Sequence, residues 1–432
     1  MDPTAPPAIG AWLARVQARG IKLGTERIVR ALELAQSPEK AFPSLLVGGT
    51  NGKGSTVAFA TALLSESGHS VGSTYSPHLV SYRERFVVDG TLVSWDELEA
   101  LALRLEPVIS AAEGMDEFTF FELGVLLALR HFADREVDVA VLEVGMGGEF
   151  DATRAAKSSV AAIVSVDLDH CRFLGDTPAE IAGTKARMAP PGGLLVTTEV
   201  RPDRLDVIRA ATDAASCRLE VAGVDFDWSI DDRGLYFSSE GLNLDAVPLG
   251  LKGAHQGQNA ACALASVAAL CRQSGLRSPS PWIAGQALQS VRFPGRLERV
   301  RLGPGRPIFV MDGAHNGAGA QALAAALDGR RRPDRRVWLY AAMDDKDRGP
   351  LVEAILPHVD RVVCVRGESS SRFAAPSLLA EEVRAAGGKA EIMDTASQAA
   401  VELARKMRTR DEVLVAGSLY LVGDVRRALE LD

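Results

Sequence analysis

The nine residues Gly48-Gly-Thr-Asn-Gly-Lys-Gly-Ser-Thr56 carry the chemistry most easily read from this chain. A glycine-rich turn lets backbone N–H groups face a phosphate chain, and Lys53 adds a point charge for the outer phosphates. The pattern departs from the general phosphate loop at two places. Val47 stands where the first glycine belongs, and Gly54 stands where Ser or Thr should follow the lysine. Glu143 is a second candidate, because it closes an apolar run, and strand ends are where parallel α/β sheets place their sites. Its hard oxygens suit magnesium, although taken alone it also reads as a capping or solvated carboxylate. His170 by itself reads as a hydrogen-bonded structural histidine, and Lys185 as a surface lysine.

These residues need elements to hold them. Residues 45–48 form a short apolar run ending in glycines, which reads as a buried strand, and residues 55–66 then read as a helix. Together they supply the strand, turn and helix that a phosphate loop requires. Residues 71–74, 137–144, 160–165 and 194–198 read as further buried strands, with helical segments at 120–131 and 181–188. Helix-like spacing also marks 11–17 and 25–35. Strands alternating with helices imply a mostly parallel sheet covered on both faces. Residues 218–250 change character, and short alternating runs such as 234–238 suggest a small antiparallel patch. Helix returns over 258–271. Pro294-Gly295 is a turn signal, and beyond it strand and helix alternate again through 308–311, 317–327, 337–340, 361–365, 378–386 and 413–416. The expected fold class is therefore α/β, with two domains meeting near residue 295: residues 1–294 and residues 295–432.

Composition narrows the function. At 432 residues the chain exceeds what one core usually serves. It is 47% hydrophobic and 24% charged, an ordinary globular balance. A net charge of -8 without a basic run argues against wrapping nucleic acid. The five cysteines, Cys171, Cys217, Cys262, Cys271 and Cys364, form no C-x-x-C pair. They read as reduced thiols of a cytoplasmic protein. The N-terminus lacks the pattern of a signal peptide, and no apolar stretch has the length of a membrane span.

The loop GTNGKGS resembles that of the Mur ligases, above all their folylpolyglutamate synthase and dihydrofolate synthase branch, and the resemblance extends over almost the whole chain. Ser73-Thr-Tyr-Ser-Pro-His-Leu79 with Tyr82-Arg-Glu-Arg85 is similar to that branch's loop after the second strand. Thr119-Phe-Phe-Glu122 is similar to its substrate-pocket motif, and Leu142-Glu-Val-Gly-Met-Gly-Gly148 with Asp151-Ala-Thr153 to its metal-bearing strand end. Asp169-His170, Gly253-Ala-His-Gln-Gly-Gln-Asn259, Pro294-Gly-Arg296, Asp312-Gly-Ala-His-Asn316, Asp345-Lys-Asp347 and Gly417-Ser418 follow in the family's order.

The resemblance implies an N-terminal ATP-binding P-loop domain with a mostly parallel sheet and a small antiparallel patch, followed by a C-terminal Rossmann-like domain. It assigns ATP to Thr50, Asn51, Gly52, Lys53, Gly54, Ser55, Asn259, Arg296 and Asp312, with domain closure completing the site. It assigns Mg2+ to Ser76, Glu143 and His170. It assigns the acceptor substrate to Leu23, Gly24, Thr119, Phe120, Phe121, Glu122, Phe150, Asp151 and Ala152. Lys53, His170 and Lys185 become catalytic, and the lysine equivalent to Lys185 is carbamylated in related enzymes. Four residues of the first domain depart from the branch. Glu149 stands where Arg is usual, Arg154 where Asn is usual, and Thr184-Lys-Ala-Arg187 replaces Glu-Lys-Ala-Gly. Whether Lys185 acts as a carbamate or as a free ammonium stays open at this point.

The implied reaction is ATP- and magnesium-dependent addition of L-glutamate to a folate through an acyl phosphate, with dihydropteroate as a second acceptor to be tested. It needs no enzyme nucleophile. The implied partners are small molecules only, for a cytoplasmic monomer that engages neither nucleic acid nor membrane. The alternative is a catalytically impaired relative that binds nucleotide or folate, supported by Glu149, Thr184 and Arg187. A peptidoglycan Mur ligase is disfavoured, since fewer than fifty residues precede Gly48. A mechanical P-loop ATPase would leave the motifs at Pro294 and Asp312 unexplained.

Overall fold

The computed structural model describes residues 5–431 except 18, 21, 23, 114–116 and 330. Chain contacts divide it into two compact units. The larger runs to Gly250 and includes His255–Val291, and the smaller comprises Leu251–Ala254 and the residues from Arg292 onward.

The larger unit is built on an eight-stranded sheet. Its order is Thr91–Leu92, Val87–Val88, Val71–Thr74, Val139–Glu143, Ser44–Gly48, Val160–Ile163, Leu194–Thr197 and Arg218–Val221. The six strands from Val71–Thr74 onward are parallel, and the two short edge strands are antiparallel. The strand Ser44–Gly48 is buried at every residue and pairs on both sides. Continuous burial explains its unbroken apolar run, since strands covered on both faces show no alternation. The phosphate loop therefore leaves the middle of the sheet, flanked by the ends of Val139–Glu143 and Val160–Ile163.

Arg218–Val221 and Trp95–Glu113 are among the elements that differ from the sequence expectation. Arg218–Val221 joins the parallel sheet as its edge strand, and the antiparallel patch is the separate three-stranded sheet Phe226–Asp231, Gly234–Ser239 and Leu242–Val247. Only the second half of Arg218–Val221 is buried, so its apolar signal is short. Trp95–Glu113 forms a long helix that periodicity does not single out, because Pro107 interrupts its pattern.

The smaller unit holds a six-stranded sheet ordered Glu298–Arg301, Ile308–Met311, Glu412–Ala416, Arg336–Tyr340, Arg361–Arg366 and Ala390–Thr395. All pairs are parallel except the first. Helices bring Leu323, Leu351, Ile355, Leu379 and Val383 onto it as one core.

Candidate active site

The phosphate loop is held by the strand next to it. Thr50 donates its N–H to the Ser165 carbonyl (2.7 Å), and its hydroxyl lies 3.0 Å from both the carbonyl and the N–H of Asp167. The Ser165 hydroxyl accepts from the Asn51 N–H at 3.2 Å and donates to its carbonyl at 3.1 Å. Arg201 braces this neighbour in turn by bonding Asp167 Oδ1, Glu199 and the Val166 carbonyl. Ser165, Asp167 and Arg201 are contributors that the sequence reading missed. The available signal was their position just past the ends of adjacent strands.

Gly52 lies at φ +86°, and a Cβ there would stand 2.2 Å from Asn259 Oδ1. Only glycine fits both demands. Helix begins at Lys53, two residues earlier than expected, so Lys53 lies on its first turn. Gly54 and Ser55 are buried in that turn. Asn259 sits on the helix His255–Ser274, which packs on Lys53–Glu66. Its carboxamide NH2 donates to Gln256 Oε1 at 2.8 Å.

Two amines converge on one carbonyl. Lys53 Nζ lies 3.1 Å from the Gly49 oxygen and 3.2 Å from that of Thr50, while Lys185 Nζ lies 3.0 Å from the Gly49 oxygen. Lys185 is only 4% exposed. Burial, aided by the nearby Lys53 charge, pulls its amine down to about 7, against the opposing pull of Asp169 and Asp151. Near neutrality this amine is half uncharged, unlike a surface lysine.

Glu143 ends its strand with a buried carboxylate that accepts the Ser76 N–H at 3.0 Å, and its own N–H is held by the Thr74 hydroxyl. Glu143 and Ser76 line a small cleft of about 20 Å3 together with Arg85, Phe121 and Thr153. His170 is exposed, adopts a left-handed conformation, and holds its Nε2 3.9 Å from Asp169 Oδ2. Among the described residues no three His, Cys, Asp or Glu side chains gather around one point. Glu143 and the Ser76 hydroxyl are nevertheless the hard oxygen donors magnesium selects, and that ion normally takes its remaining ligands from water and phosphate.

Several residues that the resemblance assigns to the acceptor also bond within the chain. Glu122 is buried, accepts both the N–H and the hydroxyl of Thr119 at 2.8 Å, and pairs with Arg27 at 3.0 Å. It thereby fixes the turn that presents Phe120 and Phe121. Asp151 is buried, and its oxygens accept from Thr153 and from the Met146 N–H. Burial pushes its carboxyl up. Ala152 is buried beside it, whereas Phe150 is 46% exposed. Gly24 is at φ +122°, and Leu23 lies outside the described residues. In the smaller unit, Asp312 accepts the N–H groups of Leu297 and Ala314 at 2.9 Å, and Arg296 lies close to Gly313 and over the Phe293 ring.

The departures from the branch explain one another. Arg187 pairs with Glu149 at 2.6 Å, and Arg154 bonds the Glu149 carbonyl at 3.2 Å. The added cation beside Lys185 thus meets an added anion. Thr184 bonds the carbonyls of Leu174 and Glu180 within its own region. The same turn approaches Lys185 closely, because a Cβ on Gly148 would stand 2.5 Å from the Lys185 carbonyl oxygen and 3.0 Å from that of Thr184. Gly148→Ala must therefore move backbone. It is expected to destabilise the fold by about 1–3 kcal/mol and to lower turnover as Lys185 shifts. Thermal melting with steady-state kinetics checks both, and a wild-type rate would show that the turn does not position this lysine.

The Mur ligase middle domain family matches residues 47–267, and the Mur ligase glutamate ligase domain family matches residues 295–419. A Haloferax volcanii protein described as a probable bifunctional folylpolyglutamate synthase/dihydropteroate synthase is 38% identical over 94% of this chain, which spans 48% of that protein's length. The Bacillus subtilis dihydrofolate synthase/folylpolyglutamate synthase is 31% identical over 97% of this chain and 98% of its own. The structure of a Yersinia pestis bifunctional folylpolyglutamate synthase/dihydrofolate synthase complexed with AMPPNP and Mn ion superposes with a TM-score of 0.85. It is 30% identical and covers 99% of this chain and 98% of its own. No helix among the described residues is long and apolar enough to cross a membrane.

Proposed function

This chain belongs to the Mur ligase family, in its folylpolyglutamate synthase and dihydrofolate synthase branch, and we propose that it joins L-glutamate to folates at the expense of ATP. Tetrahydrofolate is the first acceptor to test and dihydropteroate the second. The observation that carries this reading is the pair of amines from Lys53 and Lys185 on the Gly49 carbonyl, at the head of the helix Lys53–Glu66, with the buried Glu143 at the end of the strand next to the one that leads into the loop.

A free carboxylate resists attack by an amine, so activation comes first. The acceptor's carboxylate oxygen attacks the γ-phosphorus of ATP, and ADP leaves. The glutamate amine then attacks the acyl carbon, forming the amide as phosphate departs and the amine loses its proton. Lys53 and the helix N-terminus offset charge on the phosphates. In this assignment Thr50, Asn51, Gly52, Gly54, Ser55 and Asn259 of the larger unit hold the nucleotide, as do Arg296 and Asp312 of the smaller. Residues 1–294 are taken as the ATP-binding domain and 295–432 as the C-terminal ligase domain.

Magnesium is assigned to Glu143, Ser76 and His170, where it supplies charge that favours the approach of two anions. Lys185 is assigned as a carbamate. Its neutral amine adds to carbon dioxide, forming an N–C bond and releasing one proton, and so becomes an anion. No thiol is needed. Burial pushes Cys217 up to about 11, and Cys262 and Cys364 to about 12. The proposal includes a monomer acting on small molecules in the cytoplasm, and the acidic net charge of -8 argues against nucleic acid as a partner.

The reading is tested by phosphate release with ATP, magnesium and glutamate, offering dihydropteroate and tetrahydrofolate separately. Absence of acceptor-dependent release with both would remove it. Glu143→Gln keeps the acceptor for the Ser76 N–H but loses the charge. Its magnesium titration is expected to move to higher concentration, by about tenfold or more. An unchanged titration would leave Glu143 a structural residue.

A further inference from the structure

The Tyr82–Arg85 turn is built with more care than a connecting loop requires. Glu84 accepts the N–H groups of Leu79, Val80 and Ser81 at 2.6–2.8 Å, and Ser81 closes the capping box. This rigid turn presents Arg85 to the cleft that contains Glu143. Arg85 is 9% exposed. Its Nε donates to His78 Nδ1 at 3.0 Å, and its guanidinium lies 5.3 Å from the Phe120 ring centre and 5.8 Å from that of Tyr82. An imidazole nitrogen and two ring faces fix the plane of the guanidinium.

Among the described residues lining the cleft, Arg85 is the one cation and Glu143 the one anion. A substrate carboxylate entering beside Glu143 meets repulsion that a cation in the same cleft offsets. In a confined site that attraction is stronger than in water. Arginine suits this task, because its planar fork matches a carboxylate. The neighbouring rings of Phe120 and Phe121 suit an aromatic substrate body, which L-glutamate lacks and a benzoyl-bearing acceptor has.

We propose that Arg85 binds a carboxylate of the acceptor substrate and aligns it for phosphorylation. This rests on the reading of the chain as a folate–glutamate ligase, which wild-type turnover tests separately. The carboxylate has two sources: the one that reacts, present in every acceptor, or the second one that a glutamyl folate carries and dihydropteroate lacks.

The test compares Arg85→Gln, Arg85→Met and Arg85→Lys with the wild-type enzyme, using dihydropteroate and tetrahydrofolate as separate acceptors. Arg85→Met keeps much of the packing on the rings, so it guards against simple misfolding, and thermal melting shows which variants are folded. Folded neutral variants are expected to raise the acceptor KM by on the order of 10- to 100-fold. The KM values for ATP and glutamate should stay near wild type, and Arg85→Lys should recover part of the loss. A rise with both acceptors identifies the reacting carboxylate, and a rise with tetrahydrofolate alone identifies the second. An unchanged acceptor KM overturns the proposal. So does a rise confined to glutamate, or one shared equally by ATP.

Discussion

Lys53→Ala is expected to lose about a hundredfold or more in turnover, the usual cost of removing one stabiliser of transition-state charge, while the fold persists. The loop does not depend on this side chain for its shape, because Thr50 and Asn51 are tied to Ser165 and Asp167. What disappears is the amine that lies on the Gly49 and Thr50 carbonyls. A second effect follows from the same geometry. The Lys53 charge helps to depress Lys185, so its removal should raise the Lys185 pKa above about 7. The residual activity of Lys53→Ala should then need a higher pH than that of the wild type. Near-wild-type turnover in the purified, folded variant would sink the assignment of this loop.

Lys185→Ala is expected to reduce turnover to a similar extent, on the order of a hundredfold, and its chemical rescue is the informative part. A carbamate is an anion, so acetate or propionate should restore part of the activity, whereas a small amine should restore a free-ammonium role. The pH dependence has a definite sign. The buried amine sits near 7 rather than 10.5, so the neutral form that adds carbon dioxide is about one-tenth of the total at pH 6 and about nine-tenths at pH 8. Wild-type activity should therefore rise through pH 7 when carbon dioxide is limiting. Stability moves the same way. Between about 7 and 10.5 the unfolded chain holds a proton that the folded amine does not, so the cost of burying this lysine is full below 7 and fades as pH rises towards 10.5. Rescue by amine alone, with a flat profile through pH 7, would assign Lys185 as an ammonium.

What the sequence made legible was local. The glycines and lysine of residues 48–56 lie in one short run between an apolar strand and a helix, and each property is visible without tertiary information. Glu143 was readable for the same reason, as the polar end of an apolar run. What stayed hidden joins distant segments. Ser165 meets Asn51 across 114 residues, and nothing in either segment announces the other. Arg85 lay inside a motif noticed only for its resemblance, and its neighbours Phe120 and Glu143 are brought to it by folding. Glu122 read as a substrate contact, and no sequence pattern showed that its carboxylate also bonds Thr119 and Arg27. Burial of Lys185 was equally invisible, because a helix with mixed residues gives little warning that its lysine points inward. The expected domain limits and the individual ligand roles rest on the proposed assignment and its tests.

The contact between Glu149 and Arg187 also constrains how this enzyme can vary. Reversing either residue alone places two like charges across a 2.6 Å contact, next to the carbonyl approach of Gly148. Reversing both restores the attraction with the signs exchanged. Both side chains reach solvent, so the constraint is weak: the pair contributes on the order of 1 kcal/mol or less, and a neutral residue at either position is expected to be tolerated.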